Sequence, residues 1–349
     1  MQDSASTLDE LDLMLINCLE IAPRATWQRI GAALDVDPVT VARRWQRLSA
    51  ARAAWVGGRA TGVPDACQAI VLVSCANGAV NATAQRLARW PHVLSVEHIS
   101  GDHDLSLLIN VPGLVALSRL LLESLSAVPG VAATSTMLVT RVYRMGDQWQ
   151  LNALDAAQRS RLMDGVRPWP VRPPPTRPLD AVDRTLILRL GQDGRTPLAE
   201  LANETCLSIS TIRRRLDRMI TDGQLVLRCD LALSLSSWPV GMWLWARADP
   251  NDRATVEALL RVPGARVCMR VSGGEPNLAV GFSLQTMHEV LVVESRLSAE
   301  APRLTILGTS IVLRFIKRMG RVLDSAGRSA ETVPMAIWTD PDDLSHGHE

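Results

Sequence analysis

Apolar positions recur at helical spacing from the start of the chain. Leu11, Leu15, Ile16 and Leu19 share one face behind Asp9, and a second short helical pattern runs over 27–34. Asp37-Pro38 then supplies an N-cap and a first-turn proline for a third helix. That helix gathers Val41, Trp45 and Leu48 on one face and Arg43, Arg44 and Arg47 on the other. Beyond it the period changes. Segments 69–74, 93–99, 105–111 and 131–142 read as strands, with helical patterns at 78–90 and 114–126. That order, βαββαβ, is the ferredoxin-like split βαβ arrangement.

The pattern occurs twice. A shift of 171 residues aligns 8–56 with 179–227 without a gap, and 11 of the 49 positions are identical. The identities are Leu8/Leu179, Asp9/Asp180, Asp12/Asp183, Leu15/Leu186, Ile16/Ile187, Leu19/Leu190, Arg24/Arg195, Thr40/Thr211, Arg43/Arg214, Arg44/Arg215 and Arg47/Arg218. In the second copy Ser208 caps a helix with Ile212, Leu216 and Met219 inward and Arg213, Arg214, Arg215 and Arg218 outward. Strands and helices follow again at 240–246, 253–260, 265–271, 278–282, 286–298 and 305–315. Half of the twelve residues 167–178 between the copies are proline, which predicts a stiff, extended spacer.

The expected fold is α+β: two winged helix-turn-helix domains, each followed by a ferredoxin-like domain. Expected boundaries are 8–60 and 64–145 for the first pair, 146–178 for the linker, 179–232 and 237–320 for the second pair, and 324–349 for a largely disordered polar tail. A four-stranded sheet with helices on one face leaves its other face to be covered. Face-to-face pairing of the two half-chain sheets, an intramolecular pseudo-dimer, is the simplest cover.

Composition narrows the function. The 349 residues carry 37 Lys+Arg against 36 Asp+Glu, a net charge of +1, which excludes a globally polycationic protein. With 47% hydrophobic and 21% charged residues the chain is of ordinary globular type. All basic residues but Lys317 are arginine. Six scattered cysteines without a C-x-x-C pair read as free thiols in a reducing compartment, with no disulfide or zinc framework. No secretory signal is apparent, and the most apolar stretch, 105–122, is broken by Asn110, Pro112 and Arg119, so no membrane is expected and the chain reads as cytoplasmic.

Two helices, a tight turn and a third helix with a basic, threonine-headed outer face point to double-stranded DNA as partner. Thr40 and Thr211 suit phosphate or base-edge contacts, and Ser210 lies beside them. Arg43, Arg44 and Arg47, with Arg213, Arg214, Arg215 and Arg218, match guanine O6/N7 or phosphates. Each ferredoxin-like unit also has a glycine turn between its inner strands, at 101–104 and 273–277. Gly101, Asp102 and Asp104 offer amides and carboxylates to a small zwitterion, whereas the second turn has Gly273, Gly274 and Asn277 without an acid at the matching place. That difference predicts one good site per chain, or two unlike ones.

The motifs resemble the leucine-responsive/asparagine regulator (Lrp/AsnC) family of transcription factors. The resemblance rests on LDxxDxxLI at 8–16 and 179–187, on the Ser-Ile-Ser-Thr-Ile-Arg-Arg-Arg run at 208–215, on Asp222-Gly223, on Gly101-x-x-Asp104 and on Pro129-Gly130-Val131. It covers nearly all of 8–318, in two copies where most members have one. The first copy departs from it with Asp35 and Asp37 at the usual Gly and Ser. The resemblance implies control of transcription by a small effector such as an amino acid, and homo-oligomers of the pseudo-dimer. A rival reading is an enzyme resembling the siroheme decarboxylases, with His98 and His103 as acid–base candidates, but the Tyr and Trp of that family's motif are missing near the inner turns. No catalytic set, metal-ligand spacing or cofactor loop appears, and the chain reads as a regulator rather than an enzyme.

Overall fold

The structure is a computed structural model that describes residues 8–61, 63–164, 177–232 and 235–341. All but the last two residues of the proline-rich spacer lie outside them. In the first half α1 (Glu10–Ile21), α2 (Trp27–Leu34) and α3 (Pro38–Ala50) lead into β1 (Ala54–Ala60). Next come β2 (Cys67–Cys75), α4 (Val80–Ala88), β3 (Val93–Ile99), β4 (Leu105–Val111), α5 (Leu114–Arg119), β5 (Val131–Arg144) and α6 (Ala156–Met163). A π-helical turn, Leu120–Leu125, prolongs α5. The second half repeats the order with α7 (Ala181–Gln192), α8 (Leu198–Thr205), α9 (Ile209–Thr221), β6 (Leu225–Leu231), β7 (Val240–Arg247), α10 (Arg253–Arg261), β8 (Ala265–Ser272), β9 (Leu278–Leu284), α11 (Glu289–Glu300) and β10 (Thr305–Arg318). The short strands β11 (Arg321–Leu323) and β12 (Ser329–Thr332) follow.

These elements form two compact units. One gathers both trihelical copies. Asp9 caps α1 by accepting from the Asp12 amide at 2.8 Å, and the Asp12 carboxylate accepts from the Asp9 amide in turn. Asp35 (φ 57°) and Cys206 (φ 54°) hold the left-handed turn after α2 and α8, and Asp37 and Ser208 cap α3 and α9. Leu15, Ile16, Leu19, Ile30, Val41 and Leu48 form the first core, and Leu186, Ile187, Leu190, Leu201, Ile212, Leu216 and Met219 are buried at matching places in the second copy.

The strand after the third helix of each copy is exchanged. β1 and β6 pair antiparallel from Ala54↔Leu231 to Ala60↔Leu225, with Gly57 opposite Arg228 on a pseudo-twofold axis. Cys229 and Leu231 of β6 join the core of the first copy, and the Gly194 amide donates to Val56 O at 2.9 Å. The arginines at equivalent positions 24 and 195 complete the symmetry. Arg24 donates to Gly194 O and Thr196 O at 2.7 and 2.8 Å, and Arg195 donates to Pro23 O and Ala25 O at 2.7 and 2.9 Å. Burial, and then the like charge of Arg24, lower the Arg195 guanidinium to about 10. Its stacking over Trp27 at 3.9 Å offsets part of that cost.

Residues 146–164 are not the plain linker expected. Leu151, Leu154 and Leu162 pack on the first trihelical core, Arg29 donates to Leu162 O at 2.8 Å, and Asn17 Oδ1 accepts the amides of Ala153 and Leu154. Nor is 324–341 a structureless tail. The Ser329 amide donates to Arg52 O, Arg328 to Ala51 O, and Ile337 is fully buried. The polar composition of this segment hides the few apolar anchors, Val333 and Ile337, that hold it.

The other unit contains both ferredoxin-like halves. Each is a four-stranded antiparallel sheet, β3-β4-β2-β5 and β8-β9-β7-β10. The edges join in both directions: β5 pairs β8 from Leu138↔Ser272 to Arg144↔Cys268, and β10 pairs β3 from Val312↔Ile99 to Lys317↔Val96. The eight strands thus close on themselves, which removes the open edges of each half. The two sheets also face each other, as expected, over Ile70, Leu72, Ile99, Met137, Trp245, Met269 and Val271. No helix among the described residues is long and apolar enough to cross a membrane.

Candidate nucleic-acid interface and inner turns

The ten side chains expected to meet DNA divide into two sets. Asp12 and Asp183 are buried acids on the first helices, and each is held by two arginines of the recognition helix. Arg44 reaches Asp9 and Asp12 at 2.6 and 2.9 Å, and Arg47 reaches Asp12 at 2.6 Å. Arg215 reaches Asp180 and Asp183 at 2.7 and 2.8 Å, and Arg218 reaches Asp183 at 2.5 Å. Burial works against the Asp9 and Asp180 carboxyls, yet the bonds from Arg44 and Arg215 hold both below the usual carboxylate range. Arg44, Arg47, Arg215 and Arg218 thus fasten α3 to α1 and α9 to α7, and Arg47 keeps an exposed side chain beside its ion pair. Side chains seven residues apart on a helix, or three and four apart, share a face, and these arginines lie one step nearer the core than the helical wheel of each segment alone suggests.

Arg43, Arg213 and Arg214 form the other set. All three are exposed and none has an ion-pair partner among the described residues. Ser210 is exposed and Thr40 and Thr211 half-exposed at the start of the same helices. Ser208 Oγ, which caps α9, lies 2.9 Å from both Ser210 Oγ and Thr211 Oγ1. Val39, exposed at 74%, Gln46 and Asp217 share this outer face, a placement the basic pattern does not single out.

In the inner turns the acid and the amide are both bonded to backbone. Asp104 Oδ2 accepts the Cys75 amide at 2.7 Å, and Asn277 pairs both ways with the backbone of Ala248, at 3.0 and 2.9 Å. Acid and amide thus do the same job, tying the start of one strand to the end of its neighbour, and Asp104 is not a free carboxylate. Asp102 is exposed and carries no such bond. Each turn lies against the last strand of the other half. The Ser100 amide donates to Ile311 O, and Ser100 Oγ accepts the Ile311 amide, at 2.9 Å each. A Cβ on Gly101 (φ 109°) would meet only Ser310 Oγ, at 3.6 Å, whereas one on Gly273 (φ 112°) would meet Thr136 O at 2.8 Å, and Met137 crowds Gly274. His103 Nδ1 lies 3.0 Å from Ser74 Oγ, and His98 stands on β3 opposite Arg314.

Inside the closed sheet Glu97 faces Phe315 across the β3–β10 seam, and its Oε2 accepts the Trp243 indole N–H at 2.5 Å. Burial pushes this carboxyl up to about 7, against the pull of Trp243, Arg318 and Arg266. Nothing in the sequence pattern marks Glu97, because its partner lies in the other half. The six cysteines are free, with burial raising Cys18 and Cys268 to about 12, and no metal-ligating cluster occurs among the described residues.

Two helix-turn-helix copies joined by exchanged strands, with two ferredoxin-like halves closed into one sheet, define a fused pseudo-dimer of helix-turn-helix and ferredoxin-like modules. Residues 8–49 and 179–220 match the AsnC-type helix-turn-helix domain, and 68–149 match the Lrp/AsnC ligand binding domain. Both helix-turn-helix copies and the first ferredoxin-like half are thus of Lrp/AsnC type, a match consistent with a tandem arrangement. Among the relatives of the chain are two from Pyrococcus horikoshii. The HTH-type transcriptional regulator PH0140 is 26% identical over 144 residues, 40% of this chain and 90% of that protein. The HTH-type transcriptional regulator FL11 is 26% identical over 143 residues, 39% and 92%. The solved structure of the siroheme decarboxylase NirDL is similar over 89% of this chain and 93% of its own, with a TM-score of 0.58 and 14% identity. At that identity the likeness is one of fold.

Proposed function

We propose that this protein is a sequence-specific DNA-binding transcription regulator whose output is set by a small amphoteric molecule such as an amino acid. The observation that carries the DNA reading is the pair Arg43 and Arg214. They are the one arginine identity on α3 and α9 that is exposed and unpartnered among the described residues. Arginines without an internal role, on the outer face of a recognition helix in both copies, suit phosphate and guanine. Thr40, Ser210 and Thr211 stand where helix N-termini meet backbone phosphates.

Fluorescence anisotropy on DNA from upstream of the protein's own gene, with a scrambled control and a salt series, tests this. Selective binding with a steep negative salt slope is expected, and equal weak binding to both probes refutes it.

The effector reading centres on the first turn, where Gly101, Asp102 and the open side of Ser310 leave room, with Asp104 shaping the turn rather than holding the ligand. The second turn, with Gly273, Gly274 and Asn277, is crowded by Thr136 and Met137. An exposed Asp102 carboxylate would take an ammonium and the turn amides a carboxylate. Titration calorimetry with single amino acids should show one site per chain, weakened at least about tenfold in Asp102→Asn. Two equal sites would contradict it. Further assembly is supported by exposed Leu114, Val115 and Leu122 on the α5 segment and by Met287, Leu291 and Val292 at α11. Sedimentation at micromolar concentration should give more than one chain per particle.

A further inference from the structure

The outer faces of the two recognition helices differ in chemistry. Positions three, four and seven apart form one stripe along a helix. On α3 the stripe is Val39, Ala42, Arg43 and Gln46, and on α9 it is Ser210, Arg213, Arg214 and Asp217. Ala42 is half-exposed and the other seven are exposed. Except for the Ser210 contact with Ser208, no hydrogen bond or ion pair of these side chains occurs among the described residues. Each stripe has a net charge of +1, so the two exert the same pull on phosphate and differ in what they match.

Resting on the DNA reading above, we propose that the chain reads an operator with two unlike inverted half-sites, A·T-rich under α3 and G·C-rich under α9. The methyls of Val39 and Ala42 fit the thymine C5 methyl, and Gln46 fits adenine N6/N7 in a two-bond contact. Arg213 and Arg214 fit guanine O6/N7, and Asp217 accepts from cytosine N4. Ser210 serves either base. A solvated helix gives no reason for a valine that is 74% exposed in its first turn, since valine is a poor helix former and gains nothing in water. Contact with a thymine methyl gives one. The β1–β6 register sets the inverted frame, because Gly57 and Arg228 face each other at positions that the repeat makes equivalent. Arg43 and Arg214 are common to both stripes and supply the shared part of the contact.

Selection of the full-length chain against a random duplex library tests the proposal. The expected motif has inverted halves, one enriched in A·T and the other in G·C at the contacted steps. A perfect palindrome, or two halves of the same composition, overturns it. No enrichment at all, with equal affinity for every probe, is a different failure and overturns the DNA reading itself. The triple variant Val39→Ser, Ala42→Arg, Gln46→Asp carries the α9 chemistry on α3. All three positions lie off the core, so an unchanged melting temperature confirms the fold. This variant should prefer a symmetric G·C site about tenfold or more, where the natural chain prefers the asymmetric one. Retention of the natural preference by the variant overturns the proposal.

Discussion

Arg214 and Arg215 are neighbours on α9, and their equivalents Arg43 and Arg44 are neighbours on α3. Arg214 is exposed and unpartnered among the described residues, while Arg215 is fixed between Asp180 and Asp183. Both arginines are identical between the copies, so identity in a repeat does not distinguish a residue that reads from one that holds. The difference lies in the partner on another helix. A buried acid that accepts from two arginines binds the third helix to the first, and the remaining exposed arginine has no such partner among the described residues.

The largest expected effect follows from the holding set. Asp183→Ala strands Arg215 and Arg218 without their buried partner and should cost about 3–5 kcal/mol in a denaturant melt. A loss near zero would mean that these ion pairs are exposed surface pairs and would return the arginines to the reading set. Arg195→Met removes two bonds to backbone carbonyls and the stack over Trp27, and should cost about 2–4 kcal/mol. Stability unaffected by it would remove the symmetric clasp from the account.

A third effect depends on pH. The Glu97 carboxyl in the fold has its midpoint at about 7, above the ordinary value of 4.5, so the folded chain binds the proton more tightly than the unfolded chain. That contribution is complete at pH below the ordinary value and is lost as pH rises through about 7. Relative to Glu97→Gln, the natural chain should lose about 1–3 kcal/mol between about pH 4 and pH 8. Parallel stability curves for the two would show that Glu97 is solvated. The smallest effect is on binding, where Arg43→Ala and Arg214→Ala should each cost about 1–3 kcal/mol of DNA affinity and leave the melt unchanged.

The trihelical units and both βαββαβ orders were legible because each obeys a local period. Capping acids, first-turn proline and glycine turns marked their ends. The pairing of halves was legible only as a need to cover a sheet face. Its route, edge to edge through β5–β8 and β10–β3, depends on residues more than 100 positions apart in the chain. The same distance hid the role of Arg24 and Arg195, whose identity in the repeat was plain but whose partners are carbonyls of the opposite copy. The turn-fixing bond of Asp104 was hidden for a related reason. An acid beside a glycine turn suits a ligand, yet its bond to the Cys75 amide, matched by Asn277 at Ala248, shows a turn-fixing task that either residue performs. Local composition cannot separate these uses, because what decides them is the strand alongside.

Adjacent arginines with and without a buried partner should separate in one experiment, a DNA titration of Arg214→Ala beside its thermal melt. Affinity should weaken about tenfold with the melting temperature unchanged. Unchanged affinity, or a melt lowered as far as that of Arg215→Ala, would contradict that separation.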